Sequence, residues 1–392
     1  MAGSSFFQRF MNRLILFFLL MALGWNAQAQ SKLVDPKATK KTRALYANLF
    51  RIAEHGMMFG HEDDQAYGYG WWAEQGRSDV METTGSYPAV HGWDIGRVST
   101  QPFNLDTVDF RQMHRWIKAT YKRGGVNTIS WHLDNPKTGG DSWERVETVK
   151  DILPGGAHHQ AYIDKLESAA KFLKKCKSGF TRIPIIFRPF HEHNGDWFWW
   201  GKGHTTEEDY IALWRFTVDY LRNEMGVRNL LYAYSPDRSR MPMDSLRTGY
   251  LWGYPGDDYV DILGLDNYWD VGRHLNEKPL EEQNQDFIKG LRLIHDLAKE
   301  KRKVAALTET GLAGLPMHEW FTKMILNPLK ECDDHLNIAW ALVWRNRFEG
   351  FYTPHKAHAA AEDFMKFEQD PMTLFEADIQ NLYKYDKELI KK

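Results

Sequence analysis

The sequence predicts a (β/α)8 barrel, and three observations lead to this prediction. Eight short apolar runs recur along the chain, each separated from the next by a segment long enough for a helix. Runs such as Ile183–Phe187 and Ala339–Val343 are apolar throughout, as expected of parallel strands covered by helices. No Gly-x-Gly-x-x-Gly follows the first run, which disfavours the alternative of a doubly wound open sheet. One α/β domain built as a barrel is therefore expected.

The predicted strands follow one another at regular intervals. In chain order they are Met57–Glu62, Ala89–Asp94, Asn127–His132, Ile183–Glu192, Asn229–Pro236, Val260–Tyr268, Lys303–Gly311 and Ile338–Asn346. The intervening segments show helical periodicity, and the one before the fourth strand carries a single apolar stripe made of Tyr162, Leu166, Ala169 and Leu173. Cys176 and Cys332 end helices on opposite sides of such a barrel, so we expect both to be free thiols.

The first 29 residues have the features of a secretory signal peptide. Arg9 and Arg13 precede the apolar run Leu14–Leu23, and Ala27-Gln28-Ala29 is a small-x-small cleavage signature. The run is shorter than the roughly 20 residues that span a bilayer, although an uncleaved anchor remains the alternative. We expect export to the periplasm or the medium, no membrane insertion after cleavage, and one barrel domain over residues 30–392.

The composition excludes some functions and favours others. The 392 residues include 50 Lys+Arg and 52 Asp+Glu, and this balance gives no basic footprint for nucleic acid. The chain is 14% aromatic with 16 Trp, which indicates a large core or a long surface on which flat ligands stack. Trp197–Trp200 has four aromatic residues in a row, and we expect two of its indoles to be exposed in a cleft.

Polar and aromatic side chains gather where the predicted strands end, which in a barrel is a single rim. Among them are His132, His191, Glu192, Asp266, Tyr268, Glu309, Trp344 and Arg345. Such a set is typical of a site that stacks on sugar rings and hydrogen-bonds their hydroxyl groups. Two carboxyl groups across one rim are what glycoside hydrolysis needs, about 5–5.5 Å apart for retention and about 6.5–9.5 Å apart for inversion.

Two other interpretations of these residues stay open at this point. Glu192 and Glu309 are equally expected as ion-pair partners of Arg188 and Arg345. His191-Glu192-His193 suggests a metal site, but Asn194-Gly195 predicts that the strand ends there and no further ligand pair follows. We therefore expect no metal.

The segment from Arg188 to Trp200 resembles the acid/base motif of glycoside hydrolase family 26, the β-mannanases, and Thr308-Glu309-Thr310-Gly311 resembles its nucleophile motif. Ser130-Trp131-His132, Asp266-Asn267-Tyr268 and Trp344-Arg345-Asn346 are also similar to family positions. The resemblance extends from about Phe59 to Trp344, most of the chain.

The resemblance implies a role for each matching residue. Glu192 would be the general acid and base, and Glu309 the nucleophile, with Tyr268 touching it. His191 would contact the hydroxyl next to the anomeric carbon, Trp344 would stack under the sugar, and Trp197 would line the aglycone side. His132, Asp266 and Arg345 would hydrogen-bond the non-reducing side. No metal or organic cofactor is implied.

The implied activity is retaining endo-hydrolysis of β-1,4-mannosidic bonds in mannan, galactomannan or manno-oligosaccharides. Within the family, release of mannobiose and cleavage of β-1,3-xylan or mixed-linkage glucan are the alternatives. A non-catalytic glycan-binding barrel and a metal-dependent hydrolase are alternatives from other classes. The presence of both glutamates argues against the binding protein.

Overall fold

Parallel strands close into a barrel in this computed structural model, which describes residues 32–385 and 387–391. The strands are β1 (Met57–Glu62), β2 (Val90–Asp94), β3 (Val126–Trp131), β4 (Ile185–Pro189), β5 (Leu230–Tyr234), β6 (Ile262–Asn267), β7 (Val304–Thr310) and β8 (Ile338–Val343). Each pairs with the next along the chain, and β8 pairs with β1 from Met58↔Trp340 to His61↔Val343. The predicted (β/α)8 fold is confirmed, whereas the predicted signal peptide, residues 1–29, lies outside the described residues.

Helices separate successive strands. They are α1 (Lys40–Ala53), α2 (Asp79–Thr84), α3 (Phe110–Arg123), α4 (Val149–Ile152), α5 (His159–Lys175), α6 (Glu207–Asp219), α7 (Leu246–Leu251), α8 (Leu280–Lys301), α9 (Asn327–Lys330) and α10 (Ala361–Gln369). Short π-helical turns at Tyr220–Glu224 and Phe321–Leu326 and 3-10 turns at Arg238–Arg240 and Asp257–Tyr259 complete the set. The predicted stripe on α5 is buried along its length. None of the described helices has both the length and the apolar character needed to cross a bilayer.

The ends of β4 differ from the prediction in a way that shapes the rim. The strand was expected to continue to Glu192 but ends at Pro189, which has no N–H for the ladder. Phe190 and Glu192 then adopt left-handed backbone conformations, with φ of 50° and 53°. Because an extended strand has negative φ, these residues form a turn, and Glu192 lies in that turn rather than on the strand.

Three short pairings were not predicted. Tyr67–Gly68 and Trp71–Trp72 form a small antiparallel hairpin after β1. Lys177–Ser178 and Thr181–Arg182 form another antiparallel hairpin before β4. Thr373–Leu374 lies parallel to the beginning of β1, pairing with Met57 and Met58. Cys176 and Cys332 are both free, as expected from their separate helices.

Candidate active site

A cavity of about 470 Å³ opens where the strands end. Seven of the nine predicted site residues line it: His132, His191, Glu192, Trp197, Tyr268, Glu309 and Trp344. These residues come from strands or loops on opposite sides of the barrel, so closure of the sheet is what brings them together.

Glu192 is held in the turn after β4. Its N–H donates to the carbonyl oxygen of Ser235 at 2.8 Å, and its Oε2 accepts from the Trp197 indole Nε1 at 2.8 Å. Burial, assisted by the nearby carboxylates of Asp237 and Asp266, raises the pKa of Glu192 well above its ordinary value. This shift favours the protonated form of Glu192, which is the form that a general acid needs.

Glu309 is the penultimate residue of β7 and has two donors. Arg188, on β4, donates through Nη2 to its Oε1. The Tyr268 hydroxyl donates to its Oε2 at 3.1 Å. Burial followed by the charge of Glu309 raises the pKa of Tyr268, so the phenol remains a donor. Both contacts stabilise negative charge on Glu309 and fix the direction in which its carboxylate points.

The two glutamates are close together. One carboxylate oxygen from each of Glu192, Asp266 and Glu309 lies within 4.8 Å of the other two. This spacing fits the shorter range of about 5–5.5 Å that accompanies retention. Arg188 donates to two of the three carboxylates, so a guanidinium already supplies the positive charge at the centre of the group.

The sequence left open whether Glu309 is a catalytic residue or an ion-pair partner. Glu309 is an ion-pair partner of Arg188 and also lines the cavity, so the two interpretations are compatible. Arg345 has a different partner: its Nε lies 3.1 Å from Asp106 Oδ1, and it does not line the cavity. The hydrogen bond from Arg345 to sugar is not tested by this position and stays a prediction.

Asp266 lies outside the lining of the cavity. The side chain is completely buried, Oδ2 accepts from Arg188 at 2.8 Å, and Oδ1 accepts from the Thr308 hydroxyl at 2.6 Å. These contacts hold Arg188 in place. The contact with sugar that the resemblance implies for Asp266 is not tested by this position and stays a prediction.

The histidines of the rim fall into two groups. His132 contacts Asp94 through Nδ1 at 2.9 Å, and its ring lies 4.6 Å from that of His191, centroid to centroid. Burial and then the Arg188 charge lower the pKa of His191 well below its usual value, so this imidazole is neutral. His193 turns away, with its Nε2 on the Tyr234 hydroxyl at 2.9 Å. The two histidines of the proposed metal motif therefore do not face one site.

The aromatic residues correct one expectation and add one residue. Trp199 and Trp200 are fully buried and donate to backbone carbonyls, so the prediction of two exposed indoles from this run is wrong. Trp143, from the loop after β3, lines the cavity and stacks on His132 at 5.1 Å. Sequence reasoning missed Trp143 because it lies in a loop without periodicity. Its neighbours Gly139-Gly140 mark only a turn.

Comparison with known proteins places these features in a family. The profile described as glycosyl hydrolase family 26 matches residues 34–292. A mannan endo-1,4-β-mannosidase of Bifidobacterium adolescentis is 37% identical over 286 residues, which cover 71% of this chain but 28% of that protein. The chain thus spans less than a third of the length of this relative.

Two solved structures are similar over nearly their whole length. A family 26 β-mannanase from Bacteroides ovatus has a TM-score of 0.82 at 39% identity, covering 89% of this chain and 99% of that one. The catalytic domain of a family 26 endo-β-1,4-mannanase from Bacillus sp. JAMB-750 has a TM-score of 0.82 at 32% identity, covering 90% and 96%.

Proposed function

The chain belongs to glycosyl hydrolase family 26, and on that premise we propose that it hydrolyses internal β-1,4-mannosidic bonds of mannan, galactomannan or manno-oligosaccharides with retention. The observation that carries the proposal is the pair of glutamates. Glu192 is a half-buried acid with a raised pKa and Glu309 is a carboxylate held by Arg188 and Tyr268, with one oxygen of each within 4.8 Å of the other.

In the first step, Glu309 attacks the anomeric carbon and forms a covalent glycosyl-enzyme ester. Glu192 gives its proton to the glycosidic oxygen as the bond to the leaving sugar breaks. Tyr268 and Arg188 keep the attacking carboxylate aimed at the anomeric carbon. Trp197 donates to Glu192, so the acid is also held in one direction.

In the second step, the ionised Glu192 removes a proton from water. That water attacks the anomeric carbon and displaces Glu309, and two inversions restore the original configuration. Neutral His191 lies beside the pair and is available to hydrogen-bond the neighbouring sugar hydroxyl. Trp344 and Trp197 line the same cavity and offer stacking surfaces for the sugars on the two sides of the bond, and His132 adds a polar contact.

Chromatography of products from unsubstituted β-mannan over time tests the substrate and the mode of attack. A ladder of oligosaccharides is expected for endo-hydrolysis. Disaccharide alone from the first time point would instead identify a mannobiose-releasing enzyme with one end of the cleft closed. Absence of products from mannan, with products from β-1,3-xylan or mixed-linkage glucan, would contradict the proposed substrate.

Two substitutions test the roles of the glutamates. Glu309→Ala should abolish turnover, and azide should restore part of it by attacking the face that the carboxylate has vacated, giving an α-glycosyl azide. Glu192→Ala should impair natural glycans far more than substrates with activated leaving groups, since only the former need a proton. Glu208→Ala, an exposed glutamate on α6, is the matched control and should behave as wild type. Equal losses on both substrate types would contradict the acid role.

We propose that residues 1–29 direct export and are removed. The support is the order of Arg13, the apolar run and Ala27-Gln28-Ala29 in the sequence. N-terminal sequencing of protein recovered from the periplasm and from the medium tests this proposal. A start at Gln30 is expected, and an intact Met1 in a membrane fraction would refute it.

A further inference from the structure

A second cavity, of about 450 Å³, lies between the Tyr67–Trp72 hairpin and the loop that follows β8. It is separate from the cavity of the two glutamates, with which it shares no lining residue. Two large aromatic side chains are exposed here: Trp72 at 48% and Phe348 at 70%. Both rings line the same cavity, and contiguous exposed apolar surface on a soluble protein often marks a site for a ligand or a partner.

Each exposed ring is supported from behind by a tyrosine. The indole of Trp72 lies 4.9 Å from the ring of Tyr67, with 5° between their planes. Phe348 stacks on Tyr69 at 5.4 Å and 25°. A ring that is stacked on one face and exposed on the other presents a flat apolar platform, the surface on which the faces of sugar rings pack.

The hairpin and the loop after β8 are tied together by one buried carboxylate. Asp79, at the start of α2, accepts from the Trp71 indole at 2.7 Å and from the Tyr69 N–H at 2.7 Å. It also accepts from the side-chain amide of Asn346 at 2.8 Å. Because both elements bind the same carboxylate, the two platforms keep a fixed relative position and little order must be gained when a ligand binds.

The two cavities are lined by residues that are close together in the segment after β8. Trp344 lines the cavity of the glutamates and Arg347 lines the second, so their Cα atoms are at most about 11 Å apart. Between them, Arg345 and Arg347 both bind Asp106, at 3.1 Å and 3.0 Å. A polysaccharide bound across the glutamates therefore needs only a few more sugars to reach the platforms.

We propose that this surface, defined by Tyr67, Trp72, Thr107, Arg347 and Phe348, is a distal binding site for the same β-mannan chain that the glutamates cleave. The inference rests on the proposed function for the identity of the glycan. Trp72 and Phe348 supply stacking platforms, and Thr107 and Arg347 supply hydrogen-bonding groups for hydroxyls. The site would favour long chains over short ones, because short oligosaccharides fill only the cavity of the glutamates.

The test compares Trp72→Ala with Phe180→Ala. Phe180 is a fully exposed aromatic residue on the Lys177–Arg182 hairpin, which precedes β4 and so lies at the other end of the barrel. Trp72→Ala should lower kcat/KM on soluble linear mannan by about tenfold, equivalent to about 1.4 kcal/mol, relative to kcat/KM on mannotriose. Phe180→Ala should leave that ratio unchanged. Phe348→Ala should act in the same direction as Trp72→Ala, and it serves as the second variant if Trp72→Ala folds poorly.

Binding is measured separately in a Glu309→Ala background, by retardation in native gels that contain linear mannan. Loss of retardation with Trp72→Ala supports the site, and unchanged retardation together with an unchanged ratio overturns it. If the wild type cleaves no mannan but its retardation depends on Trp72, the distal site stands and the proposed function falls. If the protein is a dimer that Trp72→Ala dissociates, and retardation by mannan is unchanged, the surface is a protein contact and the proposal is refuted.

Discussion

Replacing Trp197 with Phe tests how the acid is tuned. The substitution keeps an aromatic ring beside Glu192 but removes the indole N–H that donates to Oε2 at 2.8 Å. An indole N–H can only donate, so it favours the ionised carboxylate over the protonated acid. Burial already raises the pKa of Glu192 above its ordinary value, and loss of the indole N–H should raise it further.

The size of the shift follows from the strengths of the two hydrogen bonds. A bond to a charged acceptor contributes roughly 1.5–3 kcal/mol and one to a neutral acceptor roughly 0.5–1.5 kcal/mol, a difference of about 1–1.5 kcal/mol. At 1.36 kcal/mol per unit, the pKa should rise by about 0.7–1.1 units. The alkaline limb of kcat/KM against pH reports this acid in the free enzyme and should move up by the same amount.

Trp344→Phe is the matched control, because Trp344 lines the same cavity and does not bond to Glu192. It should change kcat/KM without moving the alkaline limb. A limb that stays in place in Trp197→Phe, or that moves to lower pH, would refute the assignment of that limb to an acid stabilised by the indole.

Arg188→Met should destabilise the fold by roughly 3–5 kcal/mol in urea unfolding, because it leaves the buried carboxylates of Asp266 and Glu309 without a cation. Asp63→Asn should have a higher free energy of unfolding than the wild type, and this difference should grow from about pH 4 to about pH 8. Burial and the Asp106 carboxylate raise the pKa of Asp63 to about 8, so the native state binds an extra proton over this window and the wild type loses stability as pH rises. Native protein should react with a thiol reagent at the half-buried Cys332 before Cys176, whose thiol pKa burial raises.

Each of these expectations has its own control. Adding Asp266→Asn to Arg188→Met should recover part of the lost stability, and no recovery would contradict the ion-pair explanation. The advantage of Asp63→Asn should vanish below about pH 4, and an advantage independent of pH would implicate packing instead. Equal reaction rates at the two thiols would contradict the burial of Cys176.

The barrel was predictable because its strands are buried on both faces. A continuous apolar run such as that of β8 is typical of a strand that is covered on both faces. The alternation of such strands with helices then indicates a parallel sheet with helices outside it. The end of β4 could have been placed at Pro189, which has no N–H for the ladder, but the turn that follows was not predictable, since Phe190 and Glu192 adopt positive φ although neither is glycine.

The glutamates were predictable as a pair because the ends of parallel strands meet at one rim. That Asp266 lies outside the cavity lining was not predictable, and neither was the register shift between Leu265 and Asp266 just before it. The platforms at Trp72 and Phe348 escaped prediction for a simpler reason. Hairpin strands of two residues are too short to show any alternation.

The pairing of β1 has a consequence for how the protein is made. During synthesis β1 emerges early, but its neighbour β8 emerges after six other strands, and Thr373–Leu374 later still. Until then one edge of the first strand presents unpaired N–H and C=O groups. Closure must therefore follow synthesis of nearly the whole chain, and contacts so distant in sequence form slowly. Nascent chains stopped before Ile338 should therefore aggregate rather than accumulate as partial barrels.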